Sequence, residues 1–445
     1  MKLELAPAAV AALLFTAGAA AAQNAQPVTL TLSRAVAVAA DTAPAVQIAG
    51  LRAEQAQERI RETRGALLPN LSAAVAEDRR TQNLETFGFQ LPLPPGQSIP
   101  PKIGPVDVFD ARLRASTPLF DPAGLVRVQA VRAAAAGSQA DVATAAETSG
   151  ARAAQAFVTA ERAAATITAR REDVRLAGEL VTLAQAQLDR GVATALDVTR
   201  ARTQLAAAQG LLSVAENQFA QARVNLARAM GIDPRTPISL GEALGPQTAA
   251  TSVPADEAAA LQAALANRPE LKSAQAQQRA AQLGSKAIRA ERLPRLDLSA
   301  DYGLSGLNPH DAFPTYNIAV QVSAPLFDGF RREARQQQQA LAADEARVRE
   351  ADVREQVAAE VRSALLDVAT GLDQQRIAAE RLRLANEELS QAQERFANGL
   401  ATNIEVINAQ QNLVRAKDAV IDAQAASAAA RVNLARATGT TLNIR

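Results

Sequence analysis

Hydrophobic and polar residues alternate in four short stretches of the chain, which lie in two pairs. Residues 296–304 and 315–324 carry an apolar side chain at nearly every second position, and residues 70–81 and 106–117 show the same pattern less regularly. A period of two residues is typical of a β-strand with one apolar and one polar face. Each pair predicts one strand hairpin. The two predicted strand hairpins cover about residues 70–117 and 295–324.

A helical pattern follows each hairpin and contains no proline. It extends to Asp233-Pro234 after the first hairpin and to the end of the chain after the second, and only Gly191 and Gly399 interrupt it. Glycine commonly lies just past the end of a helix. The pattern predicts two long helical hairpins, at 121–230 and 328–437, whose first arms of ~65–70 residues would measure roughly 100 Å. Such long helices need neighbours, so we expect them to form a helical tube.

Capping residues mark the expected starts of these helices. Asp121 is followed by Pro122, and Asp328 by Gly329, so each aspartate is predicted to be an N-cap. At the second arms, Thr194 and Thr402 are each followed three residues later by an acidic residue, as in a capping box. The acidic residues are Asp197 and Glu405.

The chain contains one unit twice. "ARVNLARAMG" at 222–231 returns as "ARVNLARATG" at 430–439, an offset of 208, and the phrase Pro-Leu-Phe-Asp returns at an offset of 207. Upstream, the equivalent prolines Pro69 and Pro294 are 225 positions apart. The first unit therefore carries 225 − 207 = 18 additional residues between Pro69 and Pro118, in a region that contains a proline-rich loop. Each unit begins with a helical stretch, at about 30–66 and 255–292. We therefore predict a first repeat, a linker and a second repeat at residues 23–232, 233–254 and 255–445.

The strand hairpins have two possible roles, a soluble sheet with one buried face or part of a membrane barrel. Strands of about ten residues can cross a bilayer when they are tilted. Nine of the 11 Phe and 2 Tyr residues lie in or beside the hairpins, which favours a barrel with aromatic girdles. These are Phe87, Phe89, Phe109, Phe120, Tyr302, Phe313, Tyr316, Phe327 and Phe330.

Four strands per chain cannot close a barrel by themselves. A sheet that spans lipid must close, because an open edge leaves backbone groups without hydrogen bonds. Three chains would supply twelve strands, whereas two would give an eight-stranded barrel filled by its own side chains. Closure therefore needs several chains.

Composition and charge exclude several classes of function. The apolar fraction is 48% but aromatics make up only 3%, which suits long helices packed through small residues. The net charge is only +1, and the 47 basic and 46 acidic residues are mixed along the helices without a basic stripe. No nucleic-acid partner is therefore expected. The chain has no cysteine, and so no disulfide, cysteine metal site or acylated cysteine is expected.

The first 22 residues read as a secretory signal peptide. Lys2 precedes an apolar run, and three alanines precede Gln23. No later stretch has the ~20 uncharged apolar residues of a membrane helix. We expect an exported protein.

Motifs for catalysis are missing from the sequence. There is no nucleophile elbow and no P-loop, and the single histidine, His310, lies in the short loop of the second strand hairpin. We expect neither an enzyme nor a cofactor.

Taken together, these features resemble the TolC-type outer-membrane efflux proteins. The resemblance covers the two repeats, "PLFD" at both strand-to-helix junctions, "NRPEL" before the second repeat and "GLAT" at a hairpin turn. It implies a fold that is mainly α with a small β part, in which three chains form a twelve-stranded β-barrel in the outer membrane of a Gram-negative-type bacterium. An α-helical barrel then continues it across the periplasm.

The same resemblance implies a function and partners. The channel would pass substrates from an inner-membrane pump of the RND, ABC or MFS type, through a periplasmic adaptor, to the exterior. Drug efflux, metal efflux and type I protein secretion remain open, and no cofactor is implied. The remaining alternative is a soluble periplasmic coiled-coil adaptor or structural protein, although adaptors carry a single helical hairpin flanked by β-rich modules that this chain lacks.

Three groups of site residues follow from the resemblance. Asp197, Glu405 and Asn408 fall at the pore gate; the alternative for the two carboxylates is ordinary stabilisation of a helix N-terminus. The basic and aromatic residues expected near Gly399 are replaced by Ala401 and Phe396, which puts the latch of the gate in doubt. The tips predicted to bind the adaptor are Gly191, Val192, Ala193, Thr194, Gly399, Leu400, Ala401 and Thr402.

The repeated phrase Pro-Leu-Phe-Asp is interpreted as a junction between strand and helix. Proline would end the strand, Leu and Phe would lie at the inner edge of the membrane, and Asp would cap the helix. The junction residues are Pro118, Phe120, Asp121, Pro325, Phe327 and Asp328.

Overall fold

A computed structural model describes residues 28–83, 101–241, 243, 245, 256–398 and 400–444. The predicted signal peptide, most of the proline-rich stretch 91–105, the aromatic residues Phe87 and Phe89, and most of the linker lie outside these ranges. The first half contains β1 (Val28–Leu30), α1 (Leu32–Thr42), α2 (Pro44–Gly65), β2 (Asn70–Asn83), β3 (Lys102–Phe120), α3 (Pro122–Asp189) and α4 (Ala195–Met230). The second half contains β4 (Ile238–Leu240), α5 (Glu257–Asn267), α6 (Pro269–Ala290), β5 (Arg295–Gly306), β6 (Phe313–Ser323), α7 (Arg331–Ala397) and α8 (Asn403–Thr438).

The two halves have the same order of helices and nearly the same helix lengths. The short helices α1 and α5 have 11 residues each, and α2 and α6 have 22. The long helices α3 and α7 have 68 and 67, and α4 and α8 have 36 each. The predicted length of the long arms is confirmed, because no proline interrupts them.

The helical stretches predicted at 30–66 and 255–292 are each two helices, which corrects the sequence prediction. Each is broken at a proline, Pro44 or Pro269. Proline lacks a donor and disfavours a helical conformation in the residue before it. Ala43 and Arg268 accordingly have ψ angles of 136° and 117°.

The strands form one four-stranded antiparallel sheet in the order β2-β3-β5-β6, which confirms both predicted hairpins. β3 and β5 join the two halves in the middle, and β2 and β6 are the edges. Successive residues point to opposite faces. The row Ala73, Leu113, Tyr302 and Tyr316 lies on an apolar face, and the row Ser72, Arg114, Asp301 and Asn317 on a polar face. A separate two-stranded sheet pairs β1 with β4 in parallel.

The six longer helices form a layer of four columns, against which the short helices α1 and α5 pack. α3 packs against α2 and α6 along its first half and against α4 and α8 along its second half, and α7 packs against α6 and α8. α2 continues α4 where Gly231 meets Thr42, and α6 continues α8 where Gly439 meets Arg268. We call these two points the first and second helix joints. The columns are therefore α2/α4, α3, α6/α8 and α7.

Alanine and glycine supply much of the packing between these columns. A Cβ added to Gly371 on α7 would lie 3.1 Å from the Cα of Ser427 on α8, which is tighter than ordinary contact. Larger side chains gather in separate clusters, one around Phe157 and Leu226 near the first joint and one around Val357 and Val361 near the second. Within the described ranges, no helix combines the length and hydropathy that crossing a membrane requires.

Candidate functional site

The tip between α3 and α4 is held by a reciprocal cap. Gly191 has a φ of 76°, which suits glycine, and it ends α3. The Thr194 hydroxyl accepts from the Asp197 N–H at 3.3 Å, and the Asp197 carboxylate accepts from the Thr194 N–H at 3.0 Å and from its hydroxyl at 2.7 Å. The predicted capping box is confirmed here.

The hydrogen bonds of this cap change the pKa of Asp197. The hydrogen bond from the Thr194 hydroxyl, then that from the Thr194 N–H, and finally the positive charge of Arg200 lower the pKa of Asp197 below its ordinary value. Val192 beside it is exposed. The Asp197 carboxylate is therefore charged, but it is engaged in the cap and only 20% exposed.

The tip between α7 and α8 is organised differently, and the capping box predicted for it is absent. The Thr402 side chain forms no cap hydrogen bond. The Glu405 carboxylate lies 3.7 Å from Arg395 Nε on α7 instead of returning to the backbone of Thr402. The longer glutamate side chain is thus directed toward a cation on the other arm. Gly399 lies outside the described residues.

The structure brings the two tips together. Asn403 Nδ2 donates to the Asp197 carbonyl oxygen at 2.9 Å, and Gln187 Nε2 donates to the Phe396 carbonyl oxygen at 3.0 Å. Phe396 and Val406 are buried in a cluster with Val198. All described tip residues therefore belong to one end of the molecule, and their contacts cross between the hairpins.

The predicted gate residues do not all share one surface. Glu405 and Asn408 are exposed or half-buried and about one helical turn apart on α8, whereas the next residue after each, Val406 and Ala409, is buried. Asp197 lies on the neighbouring hairpin, where its backbone contacts Asn403. Asn403 itself is 1% exposed and was not predicted; its position in the first turn of α8, where the other half has Ala195, is the only signal in the sequence.

A buried charge cluster joins α3 to α8 and was also missed by sequence reasoning. Arg170 donates to Asp173 at 2.9 Å and to both carboxylate oxygens of Asp418 at 2.6 Å, and Lys417 Nζ donates to Asp173 at 3.1 Å. Burial disfavours the charge on Arg170, but the bonds to Asp418 and Asp173 outweigh it and raise its pKa. Helical spacing places Arg170 and Asp173 on one face, but nothing in the sequence pairs them with α8.

At the first strand-to-helix junction, the predicted helix cap is confirmed and the predicted strand end is wrong. Asp121 Oδ1 accepts from the Gly124 N–H at 2.8 Å, as an N-cap should. However, β3 continues through Pro118 as far as Phe120, because β5 lies beside it. Pro118 pairs with Asp297, and Phe120 pairs with Leu296 after an irregularity in the register.

At the second junction, Asp328 is not the N-cap, contrary to the prediction. The strand ends at Ser323 and α7 begins only at Arg331, after Gly329 and Phe330, which have φ angles of 67° and 63°. The Asp328 carboxylate lies 3.4 Å from Arg332 Nε, and Arg332 donates to the Pro325 carbonyl oxygen at 3.4 Å. The left-handed conformation of Phe330 is unfavourable for so bulky a residue, because its side chain is crowded at a positive φ.

The halves differ by one residue at this junction, and this explains the displaced cap. Pro-Leu-Phe-Asp recurs at an offset of 207, but seven of the eleven buried positions of α7 match buried positions of α3 at 208, against four at 207. The second half therefore has one additional residue between Asp328 and α7. A helix that began at Asp328 would present the wrong face to its neighbours, since each residue turns the helix by ~100°. The matching pairs include Gly124 and Arg332, Ser149 and Val357, Arg170 and Ala378, and Ala184 and Ala392.

The apolar residues of the second junction are highly exposed. Leu326 is 96% exposed, Phe327 75% and Phe330 69%. The rings of Phe327 and Phe330 are perpendicular with centroids 5.4 Å apart, so they contact mainly each other.

The polar face of the sheet carries a charge network. Arg112 on β3 donates to Asp110 on the same strand at 2.8 Å, to Asp301 on β5 and to the Thr315 hydroxyl on β6 at 3.2 Å. The opposite face exposes Val75, Tyr316 and Ile318. One face is thus suited to water and the other to an apolar environment.

This arrangement matches solved outer-membrane proteins. The fold resembles CusC with a TM-score of 0.79 and 18% identity, over 93% of this chain and 92% of that chain. It resembles VceC of Vibrio cholerae with a TM-score of 0.75 and 19% identity, over 92% and 96% of the two chains. It also resembles the open state of the MtrE outer membrane channel of Neisseria gonorrhoeae, with a TM-score of 0.75 and 19% identity over 92% and 89%. The chain therefore has the fold of these proteins.

Sequence comparison gives the family. The family model described as "Outer membrane efflux protein" matches residues 35–232 and 260–440, and the chain belongs to this family. It is 28% identical over 263 residues to the pyoverdine export outer membrane protein OpmQ of Pseudomonas aeruginosa, covering 56% of this chain and 52% of the relative. It is 29% identical over 279 residues to the outer membrane efflux protein BepC of Brucella suis, covering 61% and 58%. The chain thus spans somewhat more than half the length of these curated relatives.

Proposed function

We propose that three copies of this chain form the outer-membrane duct of an export system. Each chain consists of two copies of one duplicated unit. The observation that carries this proposal is a four-stranded sheet with an exposed apolar face, a polar face and two edges that pair with no other strand of the described residues. In lipid, both edges need partners. Three sheets joined edge to edge give twelve strands, with the apolar faces toward lipid and the polar faces, including Arg112, toward a water-filled lumen.

The helical layer supports the same assembly. Its outermost columns, α2/α4 and α7, have neighbours on one side only. Joining these columns between three chains would give a tube twelve columns around, beneath the strands. With α3 and α7 of 68 and 67 residues, the tube would continue for roughly 100 Å, which suits a passage across the periplasm.

We place the contact with the periplasmic adaptor at the hairpin tips, and the gate of the duct beside them. Val192 and Leu400 are exposed apolar side chains at one end of the molecule, where a partner would cover them. Glu405 and Asn408 would line the pore just past the tips. The inner-membrane pump, of the RND, ABC or MFS type, would deliver the exported compound to this end, whether a drug, a metal ion or a secreted protein.

The test is a fractionation and conductance experiment with the full-length gene product. We expect the protein in the outer-membrane fraction, as a trimer that dissociates on heating in SDS, and expect it to form pores in planar bilayers. Crosslinking at positions 400–402 in cells should capture a periplasmic adaptor. A freely soluble periplasmic monomer without pore activity would instead support the coiled-coil adaptor or structural protein and would refute the duct.

A further inference from the structure

The seam between the two halves shows how two of these hairpins join. β3 pairs with β5 so that Ala115 lies opposite Ala300 and Phe120 opposite Leu296. The pairing continues past Pro118, and the apolar end of β3 is thereby part of the sheet. The seam is a contact between the second strand of one hairpin and the first strand of the next.

The two hairpins share the same internal register. Asn70 lies opposite Ser116 in the first, and Arg295 lies opposite Ser323 in the second. These pairs are equivalent under the offsets of 225 and 207 that relate the halves in sequence. Positions on β6 and β2 can therefore be converted into positions on β3 and β5 without ambiguity.

The edges of the sheet are the second strand of one hairpin and the first strand of the other. We infer that β6 of one protomer pairs with β2 of its neighbour in the register of the β3–β5 seam. Residues 324–327 then become part of the strand when the two protomers join. Converting the Ala115–Ala300 pair places Val322 opposite Val75 of the partner subunit. Converting the Phe120–Leu296 pair places Phe327 opposite Leu71 of the partner subunit. This inference rests on the proposed trimer.

Strand lengths support this register. β2 has 14 residues and β6 has 11. With Val322 opposite Val75, β6 covers β2 from about residue 74 upward and leaves 70–73 without a partner. Residues 324–327 are then the next along the chain, and they carry the same apolar phrase that pairs with β5 in the first half.

The exposure of residues 324–327 is what we expect if β2 of a second protomer normally covers them. Leu326 and Phe327 are 96% and 75% exposed, whereas their equivalents Leu119 and Phe120, which lie beside β5, are 52% and 51% exposed. The register also keeps apolar Val322 and Val75 on the same face of the joined sheet. A second copy of the chain therefore fits this edge in both hydrogen bonding and hydrophobicity.

Disulfide formation measures the register directly, because the chain has no cysteine of its own. Val322→Cys would be combined in turn with cysteine at Leu71, Ala73, Val75, Glu77 or Arg79, and each variant oxidised in outer-membrane vesicles. We expect covalent trimers mainly with Val75→Cys, at least about fivefold above the other positions, because Cα atoms more than ~7 Å apart are not bridged without backbone movement. Phe327→Cys should likewise crosslink to Leu71→Cys.

Two controls separate the possible failures. Ala115→Cys with Ala300→Cys repeats the pairing inside one chain and should give an oxidised monomer in high yield. In the unsubstituted protein, hydrogen exchange at Leu326 and Phe327 should be as slow in the assembly as at Leu119 and Phe120. A trimer with its maximum yield at another position, or with fast exchange at 326–327, would overturn the register alone, whereas a monomeric unsubstituted protein would overturn both the register and the duct.

Discussion

The two halves of the molecule stabilise their corresponding junctions, tips and helix joints with different side chains. In the first half the partners are close in sequence or small: Asp121 caps α3, Thr194 and Asp197 cap each other, and the Thr42 hydroxyl donates to the Met230 carbonyl oxygen at the first helix joint. In the second half arginines lie at the corresponding junction, tip and joint, and each binds a carbonyl or carboxylate oxygen. The arginines are Arg332 at the strand-to-helix junction, Arg395 at the tip and Arg268 at the second joint.

This difference shows that equivalent geometry does not require equivalent chemistry. A hydroxyl or short carboxylate can serve a helix end only from an adjacent position, whereas the five donors of a guanidinium reach several acceptors at once. At these three places the second half therefore relies on charged side chains. Its stability should depend more strongly on single charged residues, and four experiments test this contrast.

The largest effect is expected at the second helix joint. Arg268, with a 5% exposed side chain, donates to Glu360 at 2.7 Å, to Glu270 at 3.0 Å and to the carbonyl oxygens of Arg436 and Ala437. Arg268→Ala removes the shared donor of two partly buried carboxylates and two backbone carbonyl oxygens, and should cost about 3 kcal/mol of unfolding free energy. The measurement is denaturant-induced unfolding in detergent.

Its matched variant is Thr42→Ala at the first joint, which removes one neutral hydrogen bond and should cost about 1 kcal/mol. Arg162→Ala removes an exposed ion pair with Asp422 and should change stability very little. Equal losses for Arg268→Ala and Thr42→Ala would contradict the proposed contrast between the halves.

A pH effect is expected at the same joint. Burial of Glu360 opposes its ionisation, but hydrogen bonds from Arg268 and Gln356 and the charge of Arg436 outweigh burial and lower its pKa below the ordinary 4.5. A lowered pKa gives stability that is fully present above about pH 4.5 and lost as the pH falls through the folded-state value. Unfolding midpoints should therefore fall with acidification below about pH 4.5, and Glu360→Gln should reduce that slope. An unchanged slope in Glu360→Gln would exclude Glu360 as its source.

The junction aspartates give a smaller and directly paired comparison. Asp121→Ala removes an N-cap and should cost about 1 kcal/mol. Asp328→Ala removes only a 3.4 Å ion pair beside a helix that begins three residues later, so its cost should stay below about 0.5 kcal/mol. Both are measured by unfolding in detergent, and a larger loss for Asp328→Ala would reverse the assignment of the cap.

The smallest effect concerns the two tip carboxylates. Glu405 is 47% exposed and Asp197 is 20% exposed and engaged in its cap. If Glu405 lines the pore, Glu405→Gln should weaken block by multivalent cations in bilayer recordings about fivefold, which corresponds to about 1 kcal/mol for an exposed charge contact. Asp197→Asn should change the block less. Identical block in Glu405→Gln and the unsubstituted protein would remove the gate role of Glu405.

Much of the fold could be predicted because it follows from local patterns. Strict alternation along 296–304 determined a strand, and the absence of proline after Pro122 determined a helix of the right length. Long-range contacts could not be predicted in the same way. Arg170 and Asp418 are 248 positions apart, and no pattern on α3 indicates which residue of α8 lies opposite.

The errors have a common physical origin. Pro118 was expected to end a strand, but a neighbouring strand can hold a proline in the sheet. Thr402 and Glu405 have the residue types and the spacing of a capping box, but Arg395 on the other arm competes for the Glu405 carboxylate. Local preference was correct where no distant partner competed, and it failed where one did.

The additional residue at Gly329–Phe330 limits how this protein can change in length during evolution. One residue inserted inside a long helix would turn everything beyond it by ~100° and exchange its buried and exposed faces. The two halves have nevertheless diverged by one residue here and by 18 near the loop of the first hairpin. Insertions and deletions are thus tolerated at turns, where a left-handed residue can absorb the rotation, while the helices between them inherit their length unchanged.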